Sequence, residues 1–244
     1  MKHEVERRHV VDLCLRLSER GYFAGTGGNL MLRIDDELVA VTPSATDYLV
    51  MRPEDVCVLR LSDLAVVDDA RTTARIDAST DASTDASTDA SIDARSSARK
   101  PSVETALHAR VLRARPDVGC SIHTHQPLAS ACALIGQPLV VPEALRRWLG
   151  EEVPVVGYAP SGTAWLAGKL AKAVSPDRQV YLLRNHGILC CAADSPTALE
   201  AVERLETLAR DLLAARIDER AHREPALRGR LAPVRDLLLH LKGP

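Results

Sequence analysis

Two histidines separated by one residue are the clearest chemical feature of the sequence. His123 and His125 lie at the end of the apolar segment 118–124, which predicts a buried β-strand. Residues i and i+2 of a strand project from the same face, so the two imidazoles would lie together and could chelate one metal ion. Imidazole suits zinc, and also manganese, iron or cobalt. The alternative is a pair of histidines on a polar sheet face.

A third imidazole comes from His186, which stands between an apolar run at 180–183 and Gly187. This setting predicts a histidine in a tight turn at a strand end. By itself it indicates a hydrogen-bonded structural residue. Together with His123 and His125 it completes a set of three nitrogen ligands, which leaves a coordination position open for substrate or water.

Glu104 is the carboxylate that could accompany these histidines. The segment 102–114 predicts a helix with Ser102 as its N-cap, which places Glu104 in the first turn. A glutamate at this position is also a common stabilising choice. His108 lies four residues further on the same helix face, where it could be a fourth ligand, a partner of the site or a core histidine.

The glycine-rich segment 25–29 could hold an anion with backbone N–H groups. It fits neither a P-loop nor the dinucleotide-binding glycine pattern, and no lysine follows it. A simple turn is the alternative interpretation.

The elements that must position these residues alternate irregularly along the chain. Apolar periodicity predicts helices at 5–19, 102–114, 127–134, 142–148, 163–174, 197–217 and 227–241, and strands at 30–34, 38–41, 56–61, 65–67, 118–124, 153–156, 179–183 and 188–192. Because several strands are linked as hairpins, we expect an α/β sandwich with a largely antiparallel sheet, not a Rossmann domain.

We expect one domain over 1–244, interrupted by a low-complexity insert at 69–99. Within the insert the tetrad Asp-Ala-Ser-Thr repeats from Asp77, Asp81 and Asp85. A helix there would stack aspartates at i,i+4, and the segment has too little apolar surface to offset its ordering entropy. We therefore predict a disordered, solvated loop; metal binding by these aspartates is the alternative.

Composition argues against several classes of function. The formal net charge is −2 and aromatic residues make up 3%, so nothing predicts binding to nucleic acid or to an anionic membrane. The N-terminus lacks the apolar region of a signal peptide, and no apolar run is long enough to cross a bilayer. The six cysteines lie in apolar runs, which predicts reduced core thiols in a cytoplasmic protein.

Taken together, the motifs resemble the class II aldolase/adducin family, whose enzymes include fuculose-phosphate aldolase. The matching segments occur in the family's order: 25–30, 42–44, 101–104 with His108, 123–125, 158–163 and 185–187. They extend over nearly the whole chain except the insert and about the last thirty residues. Each motif is loose, whereas the ordered set is specific.

The resemblance implies a three-layer α/β/α sandwich that assembles as a fourfold-symmetric homotetramer with active sites between neighbouring subunits. It implies that His123, His125 and His186 bind one divalent metal ion, usually Zn²⁺, and that Glu104 is the acid/base residue, with a pKa that burial would have to raise. Five further positions match those that hold the substrate phosphate: Thr26, Gly28, Asn29, Ser44 and Ser102.

The implied reaction is aldol cleavage of a short ketose 1-phosphate to dihydroxyacetone phosphate and an aldehyde, through a metal-stabilised enediolate. Relatives that use the same site imply alternatives: a methylthioribulose-1-phosphate dehydratase, a sugar-acid phosphate decarboxylase or a pentulose-phosphate epimerase. A non-catalytic interaction module like the adducin head domain is a further alternative, although such a module has no reason to keep three ligands and a carboxylate.

Some positions differ from the family pattern. Ala45 stands where the sugar-phosphate aldolases usually have glycine, and Val103 where they often have a second serine. No aromatic residue follows Tyr181, so the C-terminal tyrosine of fuculose-phosphate aldolase is absent, as is its tyrosine near 142–144. These differences favour a substrate other than fuculose phosphate.

Overall fold

A computed structural model describes residues 1–23, 27–68 and 99–241 of the chain. The predicted insert lies outside the described residues except for Arg99. Thr26, predicted to hold phosphate, also lies outside them.

Helices and short strands alternate along the chain in the irregular order that the sequence predicts. The helices are α1 (Glu4–Glu19), α2 (Thr105–Ala114), α3 (Pro127–Ile135), α4 (Arg146–Leu149), α5 (Ala164–Ala173), α6 (Ser195–Arg223) and α7 (Arg228–His240). The strands are β1 (Asn29–Arg33), β2 (Leu38–Val41), β3 (Cys57–Arg60), β4 (Val66–Asp68), β5 (Cys120–Thr124), β6 (Leu139–Val140), β7 (Glu152–Val153), β8 (Val155–Val156), β9 (Val180–Leu183) and β10 (Gly187–Ala192). Short 3₁₀ turns lie at Pro53–Asp55, Glu143–Leu145 and Pro225–Leu227.

Eight strands form the central sheet in the order β4-β3-β2-β1-β5-β10-β9-β8. Every pair is antiparallel except β8 with β9, which confirms the predicted mainly antiparallel sheet. Strands β6 and β7 form a separate two-stranded ribbon. Pairing through the centre of the sheet sets Asn29 opposite His123 and His123 opposite Leu189.

Two hydrophobic cores lie on opposite faces of this sheet, because successive residues of each strand point to opposite sides. One core joins the sheet to α1, α3 and α6, and the other joins it to α2 and α5. Adjacent Cys190 and Cys191 show the alternation directly, since each belongs to a different core. The chain thus has the predicted three-layer α/β/α architecture.

The predicted helix at 102–114 starts later than expected. It begins at Thr105, Glu104 is the N-cap residue, and Ser102 does not cap the helix. The Ser102 N–H donates to the Thr42 carbonyl at 3.0 Å. This bond ties the segment before the helix to the end of β2, so Glu104 lies at the helix entrance instead of in its first turn.

The single strand predicted at 153–156 is also wrong. Pro154 has no N–H to continue a ladder, and it separates β7, which pairs with β6, from β8, which pairs with β9. The long helix predicted at 197–217 is present as α6. It is longer than predicted at both ends, and the Asp194 side chain caps it by accepting the Thr197 N–H at 2.8 Å. In the part of the chain that the structure describes, we find no helix long and apolar enough to cross a membrane.

Candidate active site

The structure brings His123, His125 and His186 together at one end of the sheet. Their candidate ligand atoms all lie within 4.8 Å of one another, and Nε2 of His123 is 2.9 Å from Nε2 of His125. The three ring centroids are separated by 4.6–5.0 Å. Three imidazoles with converging nitrogens are a donor set that suits a divalent transition metal.

Local backbone geometry explains how each ring reaches the cluster. His123 lies within β5 and His125 follows the end of that strand, while His186 belongs to the hairpin between β9 and β10. Asn185 adopts a left-handed conformation with φ of 56°, which asparagine tolerates better than most residues. The His186 N–H then closes the turn onto the Leu183 carbonyl at 3.0 Å.

The hydrogen bonds around His123 suit a metal ligand. Its Nδ1 lies 2.6 Å from the Ile188 carbonyl oxygen, which can only accept, so Nδ1 carries the proton. Nε2 is therefore the lone-pair nitrogen when the ring is neutral, and it faces the cluster. Burial lowers the pKa of His123 to about 3, a shift to which neighbouring histidines add and which Glu104 opposes. Burial also lowers the pKa of His125. Neutral rings are the form that binds metal.

Two further observations fit a metal at this position. Among the described residues, Nδ1 of His186 is buried without a hydrogen-bond partner. A side chain at Gly187 would crowd the cluster, since a Cβ there would lie 2.6 Å from Cδ2 of His125 and 3.2 Å from Cε1 of His123. Gly187 thus keeps the rings in their converging positions.

Glu104 lies against two of these histidines and is 5% exposed. Its Oε2 is 3.2 Å from Nε2 of His123, and its Oε1 is 3.3 Å from Nε2 of His186. Asn29 Nδ2 donates to Oε2 and Ser161 Oγ donates to Oε1, each at 2.8 Å.

The charge state of Glu104 differs from the sequence-based expectation of a raised pKa. Burial does raise the pKa, but His123, the hydrogen bond from Asn29, His186 and the hydrogen bond from Ser161 together hold it below the ordinary value. The two hydrogen-bond donors stabilise the charged form in particular. Glu104 is therefore a carboxylate at neutral pH.

Two described residues of the predicted phosphate site, Asn29 and Ser102, contact Glu104: Asn29 binds the carboxylate, and Ser102 Oγ accepts the Glu104 N–H at 3.3 Å. Gly28 has φ of +84°, and a Cβ there would meet the Phe23 ring and, at 3.0 Å, the His123 carbonyl oxygen, so a side chain would not fit. An antiparallel bridge between Pro43 and Pro101 pairs the two serine segments: the Ser44 N–H donates to the Lys100 carbonyl at 2.8 Å, and the Ser102 N–H donates to the Thr42 carbonyl at 3.0 Å. The side chain of Asn29, which was also predicted to hold phosphate, instead hydrogen-bonds to Glu104 and His108.

Ala45 shows why glycine would suit its position. Its φ is 50°, in the left-handed region that glycine adopts without cost and that alanine adopts with strain. The sequence difference noted above therefore falls on a residue whose backbone conformation favours glycine.

Three further residues of the site were given no definite role by the sequence. Ser161 was part of a matching motif only, His108 had three alternatives, and Ser121 was not singled out. His108 Nδ1 lies 2.8 Å from Ser121 Oγ, and its Nε2 lies 2.6 Å from Asn29 Oδ1. Of these three residues, only Ser121 could have been placed near the site from the sequence, because it lies two residues before His123 and therefore on the same strand face.

Sequence comparison identifies the family of this chain. Residues 8–213 match the sequence model of the class II aldolase and adducin N-terminal domain. The chain belongs to this family, as the resemblance of its motifs indicated.

Individual relatives are enzymes of phosphorylated sugars. A 5-deoxy-D-ribulose 1-phosphate aldolase of Bacillus thuringiensis is 28% identical over 202 residues, which cover 82% of this chain and 81% of the relative. A 5-methylthioribulose-1-phosphate/5-deoxyribulose-1-phosphate aldolase of Rhodospirillum rubrum is 28% identical, covering 83% and 78%. A methylthioribulose-1-phosphate dehydratase of a Sulfurihydrogenibium species is 27% identical, covering 80% and 83%.

The fold comparison agrees with these results. A solved structure of an L-fuculose 1-phosphate aldolase superposes with a TM-score of 0.72 and 28% identity, covering 88% of each chain. These names describe the relatives, and the family membership and the fold are what they establish for this chain.

Proposed function

We propose that this protein is a metal-dependent aldolase that cleaves a short ketose 1-phosphate to dihydroxyacetone phosphate and an aldehyde. One observation carries the proposal: three imidazoles converge, and an ionised carboxylate lies 3.2–3.3 Å from two of them. This arrangement places a proton-transferring group directly beside a candidate Lewis-acid site, as C–C cleavage next to a carbonyl requires.

In this proposal His123, His125 and His186 hold one divalent metal ion, with Zn²⁺ as the first candidate and Mn²⁺, Co²⁺ or Fe²⁺ as alternatives. When bound, the metal supplies Lewis-acid stabilisation of the negative charge that develops on the substrate oxygens. The unpartnered Nδ1 of His186 and the crowded position of Gly187 support such a site.

Glu104 moves the proton. Cleavage of the bond between C3 and C4 releases the proton of the C4 hydroxyl and leaves an enediolate that takes up a proton at C3. Because Glu104 begins as a carboxylate, we assign it the role of accepting a proton and returning it to C3. Ser161 and Asn29 hold the two carboxylate oxygens in place for this transfer.

We assign the substrate phosphate to the edge formed by Gly28, Ser44 and Ser102, with Thr26 as a further candidate. The backbone at Gly28 and the pairing of the Ser44 and Ser102 segments through the Pro43–Pro101 bridge support this assignment. The relatives named above act on ketose 1-phosphates with a methyl or methylthio group at the far end. We therefore take 5-deoxypentulose 1-phosphates as the first substrates to test.

Dehydration is the second candidate, because a methylthioribulose-1-phosphate dehydratase is 27% identical to this chain. Decarboxylation of a sugar-acid phosphate and a non-catalytic adducin-like role have weaker support. We also propose a homotetramer with sites at its subunit interfaces, as the family resemblance implies, and a cytoplasmic location. Buried cysteines that remain thiols are consistent with the cytoplasm.

The products distinguish these reactions. Zinc-loaded protein would be incubated with 5-deoxyribulose 1-phosphate and 5-methylthioribulose 1-phosphate, and the mixture followed by ¹H and ³¹P NMR. An aldolase yields dihydroxyacetone phosphate together with acetaldehyde or methylthioacetaldehyde. A dehydratase instead yields one phosphorylated product that keeps all its carbon atoms. EDTA-treated protein and the Glu104→Gln variant should yield no aldehyde.

Dehydration without aldehyde formation would replace the aldolase assignment with the second candidate. Turnover that survives both EDTA treatment and the Glu104→Gln substitution would contradict the assignment of the site itself.

A further inference from the structure

A buried histidine lies behind the site and has no role in the proposed reaction. His108, on α2, is 0% exposed and hydrogen-bonds through both ring nitrogens. It contacts Ser121 on β5 and Asn29 on β1, which are separated from it by 13 and 79 positions in the sequence. Fully buried polar groups with this many specific partners fix the relative positions of the elements that carry them.

The donor and the acceptor in each hydrogen bond of His108 can be assigned, starting from Glu104. The Glu104 carboxylate can only accept, so the Asn29 group that faces it is the Nδ2 amide. Oδ1 of Asn29 therefore faces His108, whose Nε2 must carry a proton and donate it. Burial lowers the pKa of His108 to about 4, which makes the ring neutral, so its Nδ1 accepts from the Ser121 hydroxyl.

The chain of donors thus runs from Ser121 through His108 and Asn29 to Oε2 of Glu104. Without the His108 proton, the Asn29 amide could turn over and present its oxygen to the carboxylate. Two acceptors would then face each other in a buried setting, which is unfavourable. Ser161 holds the other oxygen, Oε1, from the opposite side. Ser161 is exposed, whereas Asn29 is buried, so the Asn29 bond is the better shielded of the two.

We propose that His108 is a positioning residue which, by fixing the orientation of Asn29, holds the Glu104 carboxylate beside His123 and His186 for proton transfer. The side chain of Asn29 accordingly serves Glu104 and not primarily the substrate phosphate. The kinetic part of this inference rests on the proposed function; the geometric part does not.

The direct test is exchange of the C3 protons of dihydroxyacetone phosphate with D₂O, followed by NMR on zinc-loaded protein. This exchange needs the proton transfer assigned to Glu104 but no cleavage of a C–C bond. His108→Leu removes the donor, whereas His108→Gln retains an N–H that can reach Asn29. We expect His108→Leu to slow exchange at saturation by about 10–100-fold, the usual effect of losing a residue that orients a ligand or catalytic group. His108→Gln should restore most of the rate.

Leu112→Ala is the matched control for lost stability, since Leu112 is a buried core residue on the same helix. It should leave the exchange rate unchanged. Asn29→Ala should slow exchange like His108→Leu while changing KM by less than about 3-fold, the signature of an interaction that does not bind the ground state. A raised KM with unchanged maximal rate would instead assign Asn29 to the phosphate and overturn the proposal.

The double variant His108→Leu/Asn29→Ala shows whether His108 acts through Asn29. If it does, the double variant should be no slower than Asn29→Ala alone. Multiplied effects of the two substitutions, or a His108→Leu variant as fast as Leu112→Ala, would overturn the proposal.

A crystal structure of the His108→Leu variant tests the geometry even if the wild-type protein neither cleaves ketose phosphates nor exchanges these protons. We expect a rotated Asn29 amide and a displaced Glu104 carboxylate. An unmoved Glu104 contradicts the positioning role, whereas absent wild-type activity with a displaced Glu104 contradicts only the proposed reaction.

Discussion

Gly187 offers the most specific test of how the backbone shapes the histidine cluster. It is the first residue of β10 and follows His186 directly. A Cβ at this position would press into the Thr124 carbonyl oxygen and the ring of His125, at 2.6 Å from Cδ2 of that ring. Both are tighter than van der Waals contact allows, so the Gly187→Ala substitution must displace one or both.

The size of the effect follows from what can move. Gly187 is paired with Leu183, and the next residue, Ile188, is paired with Thr124, so the carbonyl oxygen cannot withdraw without disturbing the centre of the sheet. Overpacking of this kind costs about 1–3 kcal/mol in the free energy of unfolding. For a chain of this size we expect a decrease in Tm of about 2–4 °C per kcal/mol.

Displacement of the His125 ring should also weaken metal binding. Misoriented ligands typically lower metal affinity by about 10–100-fold, which corresponds to about 1.4–2.7 kcal/mol of binding free energy. Isothermal titration of the metal-free protein with Zn²⁺ measures this affinity, and a urea titration without metal measures the change in stability.

Gly168→Ala is the control. Gly168 lies inside α5, and a Cβ there would meet nothing within 4 Å. Alanine in a helix interior should stabilise the protein by about 0.5–1 kcal/mol without a change in metal affinity. A Gly187→Ala variant that binds zinc as tightly as the wild type and loses no stability would refute this explanation of the cluster.

Three further predictions concern pH, the start of α3 and the metal. Because the pKa of buried His108 is about 4 against an ordinary value of 6.5, the unfolded state binds the extra proton first as pH falls. The free energy of unfolding should therefore decrease by about 3 kcal/mol between pH 6.5 and 4 on account of this residue. Urea titrations should show that the stability of His108→Gln depends less on pH than that of the wild type, and an identical pH dependence of the two proteins would contradict the prediction. Glu206 accepts the N–H groups of Leu128 and Ala129 at 2.8 and 2.9 Å at the start of α3. Glu206→Gln should lower the unfolding free energy by about 1–2 kcal/mol, whereas the partly exposed Glu203→Gln should change it by less than about 1 kcal/mol; equal effects would argue against the buried cap. Removal of zinc by EDTA should lower Tm by about 5–11 °C if the free metal had been at 100 times its Kd, and a His123→Ala variant should show little of this shift.

Local sequence patterns predicted most of the elements. The apolar face of α6 repeats at Leu199, Val202, Leu205 and Leu208, and all four side chains are buried. The hairpin between β1 and β2 followed from Asp35 and Asp36. The strand at 153–156 failed because a period-two pattern does not show that Pro154 interrupts the ladder and sends the two halves to different partners.

The sequence predicts which residues form the site better than it predicts the hydrogen bonds between them. The spacing of His123 and His125 contains its own geometric information, because both lie at one end of one strand. The bond between Asn29 and Glu104 joins residues 75 positions apart, and no pattern within either segment encodes that distance. The position of Glu104 as an N-cap residue is likewise not encoded locally, because the start of α2 depends on the bond from Ser102 to Thr42, which follows β2 and is 60 positions away.

The charge of Glu104 was mispredicted for a related reason. Burial alone raises a carboxylate pKa, and burial was all that the sequence suggested. The direction is reversed by His123 and His186 together with the hydrogen bonds from Asn29 and Ser161, and all four residues come from segments separate from Glu104 in the sequence.

The central claim is that one metal ion on three histidines and the carboxylate of Glu104 together perform aldol cleavage. It is tested most directly by titrating metal-free protein with Zn²⁺ while measuring the initial rate of dihydroxyacetone phosphate release from 5-deoxyribulose 1-phosphate. We predict a rate that rises linearly and reaches a plateau at one zinc per chain, and a Glu104→Gln variant that binds the same single zinc but remains inactive. A full rate before any zinc is added, or a Glu104→Gln variant that follows the wild-type curve, would contradict the account.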